Sequence, residues 1–407
     1  MPKFAKYTLL ALIAARVLVA LWLTLGPTLS SPDAPFNGDV HRYHAIATSD
    51  GIPYRDFAVE YPPATLLNIE LIGGFSIPTG AKLLVWTQLA CDLAVAGALA
   101  YGWSKRASLA YLALSAATIV YPFIYLRTDL LSVALVTWGL ALIRRRRDVA
   151  SGATLAAGAL AKMWCAALIP ILMVRGKWKP IWCAAGFGAV GLAAWVAVGG
   201  TGAVMDVLSF RGAKGWQLES LPGSVVRLTE PLTVRAEQGA WRVGQMPEWG
   251  KSVLGLAMVV SVIAVAWLLK RSGRLDGVFA DAVAPLTSVT AFLVFSPIIS
   301  PQYTVWLLPF AALAWVGGEK RLALLTAAIY SVSALLIYWI DEYVRGDLAP
   351  VLWLWVRNVM LVLLLLDGFV RLWDAANLRR RAAPVVPLAA LEPSPTAVDP
   401  LAPAATV

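Results

Sequence analysis

Residues 252–269 read SVLGLAMVVSVIAVAWLL, and basic residues flank them on both sides. No charged side chain interrupts the stretch, whose length approaches the ~20 residues that a helix needs to cross ~30 Å of hydrocarbon. Such a run predicts a membrane-spanning helix, because lipid offers backbone polar groups no partner outside the helix itself. Similar apolar runs recur along the chain, at residues 7–25, 83–103, 178–198, 322–340 and 351–366, and we predict a further single-helix span at 109–125.

The composition agrees with a chain that lies mostly in lipid. Of its 407 residues, 59% are hydrophobic and 14% are charged, and a water-soluble protein of this length could not bury so large an apolar share. Transmembrane strands would alternate apolar and polar residues, whereas these runs are apolar over most of their length and do not alternate. The sequence therefore predicts an all-α polytopic membrane protein, a bundle of about 10–12 transmembrane helices.

The net charge of +10 is distributed in short clusters between the apolar runs. An excess of Lys and Arg in cytoplasmic loops orients transmembrane helices, and this distribution argues against a nucleic-acid-binding surface. When the N-terminus is placed in the cytoplasm, with the first span as an uncleaved anchor, every cluster falls on the cytoplasmic side. The clusters are Lys105-Arg106, residues 144–147, Arg175 with Lys177 and Lys179, Lys270-Arg271 with Arg274, Lys320-Arg321, and residues 379–381.

This orientation predicts one membrane domain and a tail. The domain covers residues 1–381, and its larger external loops are 30–65 and 199–250. The tail, 382–407, is rich in Ala and Pro and carries no apolar span, so we expect it to be disordered in the cytoplasm. The protein is expected in the plasma membrane, with a polar site on the external face.

Residues 150–174 need a separate explanation, because basic loops that should both be cytoplasmic flank them. The segment must enter the membrane and return, and we predict a hairpin of two short helices with Lys162 near the external face. A lone lysine inside an apolar segment is costly and is often functional. The alternative is that its charged end simply extends to the interface.

The loop 30–65 contains both histidines of the chain together with several carboxylates. Asp39 could act as a general base on an acceptor hydroxyl, or it could stabilise a turn, since Asn37-Gly38-Asp39 is a turn pattern. His41 and His44 are three residues apart. They could contact a phosphate, bind a divalent metal together with Asp39, or be structural.

Other polar residues on the predicted external side are further candidates. Glu60 and Tyr61 precede two prolines, which could aim both side chains into a cleft or could simply begin a helix. Arg127 could hold a lipid phosphate or pair with Asp129. The remaining candidates lie in later loops, where an indole offers a stacking face for a sugar; they are Arg211, Trp216, Gln217, Glu219, Gln302 and Tyr303.

Several common chemistries have no signal in the sequence. The chain has no Walker loop, no dinucleotide fingerprint and no Gly-x-Ser-x-Gly elbow, so we expect neither a nucleotide cofactor nor a serine nucleophile. Cys91, Cys165 and Cys183 lie in apolar segments. This placement is typical of small buried residues and not of a metal cage or a disulfide framework.

Six short motifs follow one another along residues 39–309. They are Asp39 with Tyr43; residues 51–56 (GIPYRD) leading to 60–63 (EYPP); Arg127-Thr128-Asp129; Ala161-Lys162; residues 215–220 (GWQLES); and residues 300–303 (SPQY) with 306–309 (WLLP). In this order they resemble the GT-C superfamily of integral-membrane glycosyltransferases. The nearest branch is glycosyltransferase family 87, the polyprenol-phosphate-mannose-dependent α-1,2-mannosyltransferases of actinobacteria.

The resemblance implies a GT-C-like helix bundle whose active site is built from external loops, without metal or cofactor. A sugar, mannose by family expectation, would pass from polyprenyl phosphate to a glycolipid or glycan hydroxyl with inversion, and Asp39 would be the general base. Cations would stabilise the anionic leaving phosphate, namely Arg127, Lys162, Arg211 and His44. The residues implied to contact sugar or acceptor are Glu60, Tyr61, Trp216, Gln217, Glu219, Gln302 and Tyr303.

Four points stay open at the level of the sequence. In many relatives a histidine in the later external loops helps to hold phosphate, whereas both histidines here precede residue 45. A transporter or flippase of a lipid-linked sugar could also use the same cleft without chemistry. A flippase should carry polar groups through the membrane depth and on both faces, and this chain concentrates them outside. Arabinose or glucose could replace mannose, and the acceptor is open.

Overall fold

The computed structural model describes residues 2–29, 38–208, 213–229, 234–237 and 239–382. Helices dominate these residues, which confirms the predicted all-α class. The helices are α1 (Lys3–Leu25), α2 (Gly38–Ala47), α3 (Pro63–Gly73), α4 (Ile77–Gly102), α5 (Lys105–Leu114), α6 (Ala117–Val120), α7 (Asp129–Arg144), α8 (Asp148–Ala161), α9 (Ile169–Val174), α10 (Trp178–Leu208), α11 (Leu221–Thr229), α12 (Glu248–Ser272), α13 (Ala284–Val294), α14 (Leu308–Val316), α15 (Lys320–Leu336), α16 (Ile340–Arg345) and α17 (Leu348–Ala382).

Short irregular helices and three strands complete the described structure. The 3₁₀ segments are Pro27–Leu29, Pro122–Leu126, Met163–Leu168, Pro301–Leu307 and Ile337–Trp339, and a π-helical segment covers Phe279–Val283. The strands are β1 (Trp216–Gln217), β2 (Arg235–Glu237) and β3 (Ala240–Val243). They form an antiparallel sheet in the order β1-β3-β2, inside the loop that the sequence predicts to be external.

In the described part of the chain, 6 helical stretches are long and apolar enough to cross a membrane. Their outer surfaces expose large apolar side chains, for example Trp182 and Val190 at 70% and Leu256 at 65%. Such a surface suits lipid and not water. The polytopic class is therefore confirmed. The six are Lys3–Leu25, Ile77–Gly102, Trp178–Leu208, Glu248–Ser272, Lys320–Arg345 and Leu348–Arg379.

One expected span differs from the structure. The apolar run at 109–125, expected to be one helix, consists of α5, α6 and the 3₁₀ segment Pro122–Leu126. The backbone carbonyl of Ser115 accepts a hydrogen bond from Arg16, so the chain has a polar partner at the point where α5 ends. Pro122 then lacks the backbone N–H that a continuous helix requires. The break therefore has two causes, the contact with Arg16 and the proline.

The hairpin predicted at 150–174 is present as two helical segments separated by Lys162. This residue is extended (φ −155°, ψ 132°) between α8 and the 3₁₀ segment Met163–Leu168, which leads into α9. An extended residue cannot continue the α-helical hydrogen-bond ladder. The lysine backbone therefore marks the tip of the hairpin.

Close glycine contacts fix the direction of α8. A Cβ added to Gly152 would lie 2.3 Å from the Cβ of Cys183, and one added to Gly191 would lie 2.3 Å from the Cδ1 of Leu160. The contact nearer the start of α8 is also the one nearer the start of α10, and the other lies further along both helices. The two helices are therefore parallel, and small residues pack them closely. Consequently α9 returns to the end of the bundle at which α8 began.

A fully buried polar network joins the first helices. Arg16 Nε lies 2.9 Å from Asp92 Oδ2, and neither side chain is more than 3% exposed. Tyr111 and Tyr125 donate hydrogen bonds of 2.6 and 2.8 Å to the two carboxylate oxygens of Asp92. The remaining Arg16 donors reach Ser115 and backbone carbonyls. The network ties α1 to α4, α5 and the 3₁₀ segment Pro122–Leu126.

Removal of the Asp92 carboxylate tests this network. We expect Asp92→Leu to lower the free energy of unfolding by about 3–5 kcal/mol, because Arg16 would stay buried without a counter-charge. The measurement is thermal unfolding of the full chain in detergent. The double variant Arg16→Met/Asp92→Leu should recover most of the loss, since it removes both charges. Equal destabilisation of the single and double variants would contradict an unpaired charge as the cause.

Candidate active site

Asp39 and Arg127 form the first ion pair of the site. Asp39 lies in the first turn of α2, and its Oδ2 is 2.8 Å from the Arg127 Nε. Arg127 is the extended residue that follows the 3₁₀ segment Pro122–Leu126. The Asp39 side chain is 36% exposed and that of Arg127 is 11% exposed. The carboxylate can therefore be reached by a ligand, whereas the guanidinium is largely enclosed.

A second ion pair lies beside the first. Lys162 Nζ, at the tip of the hairpin, is 3.1 Å from the Oδ1 of Asp129, the first residue of α7. Trp306 Nε1 donates a hydrogen bond to the same oxygen, at 3.1 Å. Lys162 also lies over the ring of Tyr303, 4.5 Å from its centroid, and Tyr303 stacks on Trp306 at 4.4 Å. Attraction to the aromatic faces adds to the ion pair.

The two pairs act as one electrostatic unit. Asp39 lies near enough to Lys162, and Asp129 near enough to Arg127, for their charges to interact. We call these four residues the charged cluster. Asp129 is 2% exposed, so Asp39 is the more accessible of the two carboxylates. The cluster joins α2, the start of α7 and the hairpin, and its contacts with Trp306 and Tyr303 add the 3₁₀ segment Pro301–Leu307.

Glu219 lies next to the charged cluster and is buried. Gln217 Nε2 donates to Glu219 Oε2 at 2.7 Å and to Ser300 Oγ at 3.1 Å, and this joins the sheet-bearing loop to the turn before Pro301. Arg357, in α17, donates to the Glu219 backbone carbonyl. Burial raises the pKa of Glu219 to about 7, although Arg357, Gln217 and Arg127 act in the opposite direction. This carboxyl group therefore titrates near neutral pH.

Glu60 is already engaged by an arginine. Its two carboxylate oxygens lie 3.0 and 2.8 Å from the Nε and Nη2 of Arg42, which makes the pair bidentate. The Nη2 of Arg42 also donates a hydrogen bond to the Ala58 carbonyl oxygen. Tyr61 packs edge-on against Tyr43, with ring centroids 5.6 Å apart. The motif around residues 60–63 thus braces α2 and begins α3, so the helix-start interpretation of its prolines is confirmed.

Several other predicted contacts have different surroundings. Trp216 is 7% exposed and belongs to a separate apolar cluster with Leu218 and Tyr343, so its faces are occupied by protein. His44 Nδ1 is 2.8 Å from the Gly73 carbonyl oxygen, which ties α2 to α3. Gln302 is half-buried in the segment Pro301–Leu307, beside Tyr303. Arg211 lies outside the described residues.

The described residues contain no group of three or more His, Cys, Asp or Glu side chains that could hold a metal ion. The alternative of a metal bound by His41, His44 and Asp39 therefore has no support in their arrangement. Among these three residues, Asp39 has Arg127 as its neighbour and His44 contacts a backbone carbonyl.

Arg357 is a site residue that the sequence analysis missed. It is fully buried, and its Nε and Nη1 have no hydrogen-bond partner among the described residues. The Oε1 of Gln217 and the Oδ1 of Asn358 are likewise unpartnered within that part of the chain. Buried polar atoms are rarely left unpaired, so such a group indicates a place for water or ligand. The only signal was a charge inside an apolar run.

One comparison with known proteins gives a match. The family model described as Glycosyltransferase family 87 matches residues 59–297, more than half of the chain. A search of curated proteins found no match. The matched range includes Glu60, Arg127, Lys162, Gln217 and Glu219, whereas Asp39 and Tyr303 lie outside it.

The raised pKa of Glu219 predicts a pH-dependent stability. The folded state holds the proton more tightly than the unfolded chain, so this contribution is complete below pH ~4.5 and is lost as pH rises through about 7. We expect Glu219→Gln to abolish this loss, which amounts to roughly 3 kcal/mol at most. The measurement is thermal unfolding of the full chain in a series of buffers from about pH 5 to about pH 8, an interval that includes the pKa of the folded state.

The exposed Glu248 supplies the matched control for that experiment. Glu248→Gln should retain the wild-type decrease in stability between acidic and alkaline buffer, because that side chain is not desolvated on folding. An unchanged pH profile in Glu219→Gln would show that another group titrates.

Proposed function

The chain belongs to glycosyltransferase family 87, and we propose that it transfers a sugar from a polyprenyl-phosphate donor to a hydroxyl of a glycolipid or glycan. Mannose is the sugar that the family resemblance implies. The anomeric carbon is inverted, because the acceptor oxygen attacks it directly from the face opposite the phosphate. The chain is a multi-pass membrane glycosyltransferase, and the finer assignment rests on the charged cluster.

The observation that carries the proposal is the pairing of an accessible carboxylate with enclosed cations. Asp39 is 36% exposed beside Arg127, whereas Asp129 is 2% exposed and is held by Lys162 and Trp306. A general base must come within hydrogen-bond reach of the acceptor hydroxyl. Asp39 meets this requirement better than Asp129, so we assign Asp39 as the base.

Arg127 and Lys162 are proposed to bind the donor phosphate. The leaving group is a phosphate anion, and the transition state gains from fixed cations without any need for a general acid. A phosphate that reaches Arg127 competes with Asp39 for the guanidinium, since arginine binds either anion with charge-assisted hydrogen bonds. Donor binding would thereby free the Asp39 carboxylate to accept a proton. For Arg211, the proposed contact with the phosphate rests on the family resemblance alone.

The sugar contacts are proposed beside the charged cluster. Gln217 carries one of the unpartnered buried atoms described above, and the Glu219 carbonyl accepts from Arg357, which carries two more. Tyr303 lies against Lys162, and polar side chains in such a place suit sugar hydroxyls. Gln302 and Tyr61 adjoin them. We do not assign Trp216 to the sugar or His44 to the phosphate, because each side chain already has a structural partner. Glu60 can act only if its pairing with Arg42 rearranges.

The location of the site is proposed from charge distribution. The basic clusters lie at the opposite end of α7 from Asp129, and such clusters orient towards the cytoplasm. The site would then face outward, where a lipid-linked sugar can enter sideways from the bilayer. Residues 1–381 would act as one catalytic membrane domain, with the tail 382–407 in the cytoplasm.

Asp39→Asn tests the assignment of the base. We expect it to lower the rate of sugar transfer from a radiolabelled polyprenyl-phosphate sugar by roughly 10²–10⁴-fold, because an amide cannot accept the proton. Donor binding and thermal stability should be retained. The assay measures labelled product in membranes that contain the variant.

Asp50→Asn is the matched control, since it removes an exposed carboxylate from the same loop. It should keep wild-type turnover. Wild-type turnover in Asp39→Asn would show that the base lies elsewhere. If the unaltered protein moves the labelled lipid across a proteoliposome but forms no glycosylated product, it is a transporter and not a transferase.

We expect EDTA to leave transfer unchanged. Arg127 and Lys162 supply the positive charge that a divalent ion would otherwise provide at the leaving phosphate. The measurement is the initial transfer rate with and without the chelator. Inhibition that Mg²⁺ or Mn²⁺ reverses would contradict this expectation and revive the metal site at His41.

A further inference from the structure

A cavity of about 420 Å³ lies at the end of α7 that is remote from the charged cluster. Helix α7 begins at Asp129 and ends at Arg144, which lines the cavity. At 1.5 Å per residue, the two ends of this helix are about 22 Å apart. The cavity is therefore separate from the candidate active site. It lies among the basic clusters that orient the chain.

The cavity is rich in positive charge. Four cationic side chains line it, against two carboxylates: Arg144, Arg146, Arg175 and Lys177, with Asp276 and Asp281. Trp103 and several aliphatic side chains complete the wall. The lining thus combines excess positive charge with an apolar surface.

Asp281 organises this lining. It is 8% exposed and lies in the π-helical segment Phe279–Val283, a rare conformation that often occurs at functional sites. Its Oδ2 is 2.8 Å from Arg144 Nη1, and its Oδ1 is 2.8 Å from Arg175 Nη2. Trp103 Nε1 donates to its Oδ2 at 2.9 Å. One buried carboxylate therefore holds two guanidinium groups at the cavity wall.

The cations are not fully satisfied by these contacts. Arg175 Nε is buried and has no hydrogen-bond partner among the described residues. Neither Arg146 nor Lys177 forms an ion pair within that part of the chain. Arg146 also adopts a left-handed backbone (φ 57°), which is uncommon for a residue other than glycine. The wall therefore keeps donors available for an anion.

Membrane orientation alone does not account for this arrangement. A loop cation that orients a helix needs only to stay in water near the membrane, as the exposed Lys105 and Arg106 do. The Arg175 side chain, in contrast, is 11% exposed and is fixed by Asp281 inside the wall. Burial of an arginine is costly, and the orientation of a helix does not require it.

We propose that this cavity binds a phosphate group, either that of a lipid headgroup or free inorganic phosphate. Arginine donors in a fixed arrangement match phosphate oxygens. Basic pockets between membrane helices on the cytoplasmic side commonly bind anionic headgroups. The apolar part of the wall suits the glycerol backbone and first acyl carbons of a lipid. This site is independent of the proposed sugar transfer.

The test uses the full chain in phosphatidylcholine nanodiscs. One arm adds inorganic phosphate, and the other compares phosphatidylcholine alone with phosphatidylcholine that contains cardiolipin. The readouts are the melting temperature and the cardiolipin retained after purification. We expect a saturable increase in one arm or both, and the responding arm identifies the source of the phosphate.

The variant pair separates a built site from general surface charge. Arg146→Gln/Lys177→Gln removes two lining cations that are outside the Asp281 ion pairs, and should weaken anion binding about ten-fold or more. The control Lys105→Gln/Arg106→Gln removes the same charge from an exposed cluster outside the cavity and should bind as wild type. Both variants should keep the wild-type melting temperature in phosphatidylcholine alone.

Three results would overturn the proposal. No response in either arm would exclude a phosphate site. Equal weakening in both variants would show that the anion senses surface charge only. Wild-type affinity in Arg146→Gln/Lys177→Gln would place the bound anion away from the cavity.

Discussion

The ion pair between Arg16 and Asp92 is the interaction on which the arrangement of the helices depends. A charge inside an apolar bundle is tolerated only where its partners are fixed, so α1, α4 and α5 have little freedom relative to one another. Tyr125 belongs to this network through its hydrogen bond to Asp92. Arg127 follows Tyr125 by two residues, so the position of the catalytic candidates depends on the same anchor.

The Arg16 guanidinium differs from the arginines of the candidate active site and of the remote cavity in how completely its nitrogen atoms are hydrogen-bonded. The Arg16 guanidinium donates to a carboxylate, a hydroxyl and backbone carbonyls, and each of its three nitrogen atoms has a partner. Arg357 and Arg175, in contrast, keep buried nitrogen atoms without a partner among the described residues. Satisfied buried charges hold a structure together, whereas unsatisfied ones indicate where another molecule belongs. Both the candidate active site and the remote cavity meet the second description.

The sequence predicted the class of the fold and the break at Lys162, because both depend on local properties: apolar length and one costly charge. It did not predict the division of residues 109–125, because one of its two causes is a hydrogen bond from the distant Arg16 to the backbone carbonyl of Ser115. It singled out Arg127 and Lys162 as candidates, but not the carboxylate with which each one pairs. Arg357 was missed because its role depends on a loop far away in sequence.

The charge balance of the candidate site has a further consequence for the proposed donor. The charged cluster holds two carboxylates and two cations, so it is nearly neutral before a ligand binds. A sugar on polyprenyl phosphate is a phosphodiester with a single negative charge, and its proposed binding near Arg127 would make the surroundings of Glu219 more negative. Like charge raises the pKa of a carboxyl group, and that of Glu219 is already about 7. Glu219 would then bind a proton together with the donor, and would offer the sugar a hydrogen-bond donor instead of an acceptor.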